Sequence, residues 1–138
     1  MNLSELTAKF VGRPYSQYSC MGLVHAFYSQ LGVNLPNSYG YLTLNNFMGY
    51  YFKNPGKTQV EMIKVVNSLG EQSSAQYPKL LDLLIVAQNL RVRHVISPGL
   101  LAAIYVGKGH AMTSFLKTGV SVFRLDKHNR AIASRRIV

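Results

Sequence analysis

Apolar positions recur at helical spacing through the first half of the chain and in strand-like runs through the second. Leu3, Leu6 and Phe10 fall three and four apart, which predicts a short amphipathic helix over residues 2–10. From Cys20 the apolar residues Leu23, Val24, Phe27 and Leu31 mark one buried helical face. Ser19 is placed to cap that helix, Pro14 ends whatever precedes it, and Gly32 terminates it. After a Pro/Asn/Ser/Tyr/Gly loop over 36–41, Leu44, Phe47, Met48, Tyr51 and Phe52 predict another helix with Thr43 as its cap. Asn54-Pro55-Gly56 reads as a turn. Val60, Ile63, Val65, Val66 and Leu69 predict a helix over 58–69 ended by Gly70, and residues 71–78 read as a polar loop.

The second half changes period. Leu80 to Val86 is an apolar run interrupted only by Asp82, as in a buried strand. Arg91-Val92-Arg93-His94 leads into a break at Ser97-Pro98-Gly99. Leu101–Val106 and His110–Leu116 read as a hairpin about the turn Gly107-Lys108-Gly109, with Ala111 facing Val106 and Leu116 facing Leu101. Lys117-Thr118-Gly119 makes the next turn, Val120–Leu125 a third strand and Ala131–Ile137 a fourth. Helices first and an antiparallel meander second predict an α+β fold, a single domain over 1–138.

Composition sharpens this picture in two respects. With 48% hydrophobic and 14% charged residues, the 138-residue chain reads as globular rather than disordered. Fifteen Lys and Arg against five acids give a formal charge of +10. Such a surface attracts polyanions: nucleic acid, anionic lipid, an acidic cell-envelope polymer or an acidic protein. No nucleic-acid-binding motif accompanies the charge, so a nucleic-acid partner stays open. No apolar run reaches the ~18 residues of a membrane span, and no secretory signal pattern opens the sequence, so the expected location is cytoplasmic as synthesised. The single cysteine allows no internal disulfide, and His25, His94, His110 and His128 show no zinc spacing. Neither metal nor cofactor is expected.

The lone cysteine carries the candidate chemistry. A thiol in the first turn of a helix faces the positive end of the backbone dipole and free amides, which lower its pKa. Gly12-Arg13-Pro14-Tyr15, then Ser19-Cys20-Met21-Gly22-Leu23-Val24, then Leu31-Gly32-Val33-Asn34-Leu35-Pro36 resemble the NlpC-type cell-wall cysteine peptidases. Asp82-Leu83-Leu84-Ile85, Ala103-Ile104-Tyr105-Val106-Gly107-Lys108-Gly109 and Gly119-Val120-Ser121-Val122 resemble that family's later strands, in the same order. The short Gly-Arg-Pro-Tyr lead-in looks most like versions carried by phage tail-assembly proteins. The resemblance covers about Phe10–Pro36 and Lys79–Leu125.

It implies a papain-like fold and a hydrolase of peptidoglycan stem peptides, an endopeptidase or amidase with Cys20 as nucleophile. Phage tail proteins are further implied partners, with a virion-associated location. The family's catalytic histidine falls on Leu101, its third polar residue on Thr113, and its aspartate before the cysteine on Ser19. The imidazoles left to serve Cys20 are His94, before the strand, and His110, ~17 Å along it from Leu101 at ~3.4 Å per residue. Tyr15 or Tyr18 stands where a hydroxyl could donate to an oxyanion, beside the amide of Cys20 itself. Two readings follow: an active cysteine hydrolase, or an inactive papain-like scaffold serving as a binding or tail-assembly module.

Overall fold

In the computed structural model, residues 2–36, 38–39, 42–43, 53–92 and 95–138 are described. Helix α1 spans Leu3–Ala8, capped by Asn2, whose side chain accepts from the Glu5 N–H. Helix α2 spans Cys20–Gln30; the Ser19 hydroxyl accepts from the Gly22 N–H at 3.1 Å, and Gly32 follows at positive φ. Both helices stand where the apolar spacing put them. The two-residue strands β1 (Ser38–Tyr39) and β2 (Leu42–Thr43) pair antiparallel within what the sequence left as a loop, and Thr43 lies in β2. The helix expected from Leu44 to Phe52 lies outside the described residues.

Helix α3 spans Pro55–Ser68. The expected Asn54-Pro55-Gly56 turn is therefore a helix start, with Asn54 at the cap and Pro55 in the first turn, where its missing N–H costs nothing. Its buried apolar residues are Met62, Val65 and Val66, followed by Leu69, and Thr58 is buried as well, whereas Val60 is 53% exposed. Leu31, expected on the buried face of α2, is likewise exposed, since α2 has ended before it.

The sheet has six strands in the order β3-β8-β4-β5-β6-β7, all antiparallel to their neighbours. These are β3 (Glu71–Ser73), β4 (Leu83–Val92), β5 (Val95–Gly107), β6 (His110–Phe115), β7 (Gly119–Arg124) and β8 (Asn129–Arg136). Four differences from the sequence reading stand out. The last strand does not extend the meander: β8 returns to pair with β4 and with β3, a strand inside the presumed polar loop. Leu80 and Leu81 precede the strand, and Leu81 takes φ +71, its carbonyl accepting from the Tyr28 hydroxyl at 2.7 Å. Strand β5 runs straight through Ser97-Pro98-Gly99, paired to β4 from Leu83↔Ile104 to Val92↔Val95. In the β5–β6 hairpin His110 pairs with Gly107, and an irregularity then sets Ala111 against Tyr105 rather than Val106.

The main core lies between the helices and one face of this sheet. Leu23, Val24, Phe27 and Tyr28 of α2 pack on Leu83, Ile85, Ala102, Ile104, Met112 and Val120, with Leu6 and Phe10 at one margin and α3 at another. Each such side chain contributes roughly 1.5–3 kcal/mol by leaving water. The other face holds a second cluster, Leu84, Val86, Ala103 and Ala111. After α1 the chain is pinned to the outer strand: Gly12 N–H donates to Val120 O, and Val120 N–H to Arg13 O. Gly119, at φ +75, fits there because a Cβ would collide with the Arg13 carbonyl. Among the described residues no helix is long and apolar enough to cross a membrane.

Candidate functional site

Cys20 is the first residue of α2, and capping by Ser19 fixes its backbone. Ser19 thus has a cap's role at the position where the resemblance has an aspartate. Cys20 is 8% exposed and packs against the main core, but it also lines an open cleft of about 540 Å3. That cleft is walled by Met62 of α3, Leu100 and Leu101 of β5, and Phe115 and Leu116 at the end of β6. The polar residues Tyr15, Thr58, Gln59, Gln88, Ser114, Lys117 and Thr118 line it too. The sulfur therefore sits at a helix start and faces a groove against the later hairpin.

Its electrostatics differ from the expectation raised by the helix position. Burial pushes the Cys20 thiol above its ordinary pKa. Backbone hydrogen bonds from Ala102, Met21 and Cys20 itself act the other way and do not offset the lost solvation. The reason is the company it keeps: its walls are mostly apolar, and Lys117, on the same cleft, is not among the groups that act on the thiol. At neutral pH the protonated thiol is the dominant form.

The other sequence candidates are distributed as follows. Tyr15 lines the cleft with Cys20. Tyr18 is half-buried instead, packed edge-on against Phe10 at 5.6 Å, and its carbonyl accepts from the Ser114 hydroxyl. Thr113 is fully buried beside Ala102, donating to that carbonyl at 2.7 Å. Leu101, on which the sequence resemblance places a histidine, lines the cleft. His110 does not: it pairs with Gly107, five residues along β5 from Ala102, or ~17 Å. Its Nδ1 lies 2.9 Å from Lys108 O in the turn. His94 lies outside the described residues. His25 is tied to Leu35 O at 2.6 Å, and His128 is exposed in a turn.

Cys20, Tyr15 and Leu101 are thus brought together, and among the described residues no imidazole lines their cleft. Nor do any three of His, Cys, Asp and Glu converge as metal ligands among those residues. The sequence reading missed the α3 wall (Thr58, Gln59 and Met62) and Lys117. The spacing of Thr58 and Met62, one helical turn apart, was the available signal.

No protein-family model matches the sequence, and no curated protein matches it either. Solved structures do match. One is the crystal structure of an NlpC/P60 family protein from Bacillus cereus ATCC 10987, 16% identical, with a TM-score of 0.60 over 99% of this chain and 40% of that one. Another, described as similar to a lipoprotein of the NLP/P60 family, comes from Staphylococcus aureus subsp. aureus Mu50. It is 15% identical, with a TM-score of 0.55 over 99% of this chain and 40% of that one. The chain has the α+β, papain-like NlpC/P60 fold, and it spans about 40% of the length of those two chains.

Proposed function

We propose that this chain is a papain-like module of the NlpC type that holds an extended cell-wall peptide in the Cys20 cleft without cleaving it. The composition of that cleft carries the reading: the thiol shares it with Leu100, Leu101, Met62 and Phe115, and no described imidazole lines it. Acyl transfer through a thioester requires a thiolate to attack and an acid to protonate the departing amine. A thiol kept protonated by burial and faced by leucine is served by neither. The same walls suit small apolar side chains, while Gln59, Gln88 and Lys117 offer partners for peptide amides and a carboxylate. A peptidoglycan stem peptide, the ligand implied by the sequence resemblance, presents both. An extended segment of an assembly partner such as a phage tail protein is the competing occupant.

The second reading, an active endopeptidase or amidase, rests on the placement of Cys20 in the first turn of α2 at the cleft surface. It assigns Cys20 as nucleophile, His94 or His110 as the base, Tyr15 or Tyr18 as oxyanion donor and Thr113 as the third polar group.

Purified muropeptides decide between the two. Calorimetric binding with no new product, and the same affinity in Cys20→Ser, is the expected result. Cleavage that disappears in Cys20→Ala overturns the binding-module reading and establishes the hydrolase. Absence of both binding and cleavage removes the cell-wall peptide and leaves the assembly partner.

A further inference from the structure

Strands β5 and β6 separate beside the thiol. Their recorded pairing ends at Ile104↔Met112. Continued at the same register, it would set Ala102 against Ser114 and Leu100 against Leu116. Instead the Ala102 carbonyl accepts from the Thr113 hydroxyl, and the backbone of Ala102 also bonds to the sulfur of Cys20. Leu100 and Leu116 both line the cleft that opens between the two strands.

The alternation of a strand decides which way the backbone of Leu100 points. The Tyr105 N–H donates to Asp82 O, and the Tyr105 carbonyl accepts from the Leu81 N–H, so the main chain of Tyr105 faces the β4 side. The β4–β5 register runs unbroken from Leu83↔Ile104 to Val92↔Val95, which turns Ala103 and Leu101 the same way. Ile104, Ala102 and Leu100 face the opposite side, in keeping with both bonds at Ala102. The N–H and C=O of Leu100 are therefore aimed at the cleft, ~7 Å along the strand from Ala102. Among the described residues neither group has a recorded partner there. Leu100 is half-buried, and a donor and acceptor left together on a strand edge are a template for another strand. Pro98, next on the same side, has no N–H to offer, so the complete donor–acceptor pair is that of Leu100.

We infer that Leu100 is the main-chain docking point of this cleft. One residue of an extended peptide pairs with it, donating to its C=O and accepting from its N–H, along the line that β6 leaves at Phe115. Side chains of that peptide meet Met62, Leu101 and Phe115. Lys117, the charged residue among the described lining residues, is placed for a carboxylate of the same peptide. A purely apolar ligand would fill the walls and leave Leu100 without a partner, at the cost of a desolvated donor and acceptor. The inference rests on the peptide-binding reading of the Cys20 cleft and adds the contact that fixes the peptide's register.

Amide hydrogen exchange, followed residue by residue by NMR on the full chain, tests it. In the free protein the Leu100 N–H should exchange roughly 100-fold faster than that of Ile104, which lies in the paired part of the strand. Saturation with purified muropeptide should then slow Leu100 about tenfold or more. N-acetyl-tetra-alanine, an extended peptide with a free carboxylate and no cell-wall chemistry, is the second probe. Protection of Leu100 by tetra-alanine alone supports the docking point and removes the cell-wall ligand. Muropeptide binding with Leu100 exchange unchanged overturns the docking point and leaves the binding reading standing. Protection by neither probe overturns it as well, and so does a Leu100 N–H already slow in the free protein. Leu100→Pro removes the donor at a site like that of Pro98 and should weaken binding about fivefold, whereas Leu100→Val keeps the N–H and should stay within about twofold. Circular dichroism verifies that both variants are folded, and equal losses in the two would assign the effect to the side chain and overturn the inference.

Discussion

Asp82 and Cys20 are both ionisable groups removed from water, and the protein treats them oppositely. Asp82, at the entry to β4, is almost fully buried, and burial alone would push its pKa up. Hydrogen bonds from Arg136 Nε and Nη2, both 3.2 Å, from the Lys79 N–H at 2.9 Å and from the Ser73 hydroxyl at 3.1 Å reverse that push and hold its carboxyl below the ordinary range. The Ser134 hydroxyl adds a contact at 3.3 Å. Cys20 is also buried but has only backbone amides to oppose burial, and its pKa rises. The polar partners have gone to the junction of β3, β4 and β8 rather than to the thiol. Asp82 keeps a full set of partners, while Cys20 shares its cleft with Leu100 and Leu101.

Breaking the well-served group should give the largest effect. Asp82→Ala strands Arg136, Ser73, Ser134 and the Lys79 N–H together. Loss of one partner of a buried pair costs ~3–5 kcal/mol. The Arg136 side chain is 38% exposed and can rehydrate, so the expected loss is about 2–3 kcal/mol, read from the urea midpoint. A loss below about 0.5 kcal/mol would mean the network is ornamental.

The pH dependence carries the same comparison with a definite sign. Asp82 has a folded pKa below its unfolded value of ~3.9. Its contribution is therefore complete above the unfolded pKa and disappears as pH falls through the folded one. Wild type should lose stability progressively below about pH 4, and Asp82→Asn should be less stable at neutral pH with a flatter acid limb. Parallel curves for the two proteins would assign the acid limb to other carboxylates.

How much of this was legible in the sequence depended on how local the signal was. Helix α2 was readable to its caps because Ser19, the apolar spacing and Gly32 all act within their own segment. The pairing of β8 with β4 was not, since both β7 and β4 are equally good antiparallel partners by pattern and only the closing of the sheet chooses. Pro98 signalled a break and lies in a strand. Beyond Gln88↔Gly99 the recorded pairings of β4 with β8 and of β5 with β6 have ended, so the missing N–H of Pro98 faces an edge. At the site, the position of Cys20 was legible from its helix. The direction of its pKa was not, because burial depends on Met62, Leu101 and Phe115 arriving from three other elements.

The thiol side of the comparison is sharpened by supplying what it lacks. Wild-type Cys20 should react with iodoacetamide near pH 7 at least several-fold more slowly than a free thiol, whose pKa is ~8.5, and should accelerate as pH rises. Leu101→His places an imidazole on the same cleft wall, and a nearby imidazolium favours the thiolate. The expected outcome is about tenfold faster alkylation at pH 7 than wild type. Fast alkylation of the wild type itself would show that the thiol already has a charged partner.

The smallest effect concerns Thr113, where structure and resemblance make different demands. Its hydroxyl donates to the Ala102 carbonyl, while the sulfur of Cys20 is bonded by the Ala102 backbone. The carbonyl belongs to the peptide following Ala102, and the N–H able to donate to sulfur belongs to the peptide before it. Thr113→Val keeps the shape, removes one net hydrogen bond and should cost about 1 kcal/mol of stability. The alkylation rate of Cys20 should stay within about twofold, since a change of 0.3 in pKa corresponds to only ~0.4 kcal/mol. A thiol that slows several-fold in Thr113→Val would make this threonine a working partner of the sulfur rather than a strand fastener, and would restore to the hydrolase reading the third polar group it needs.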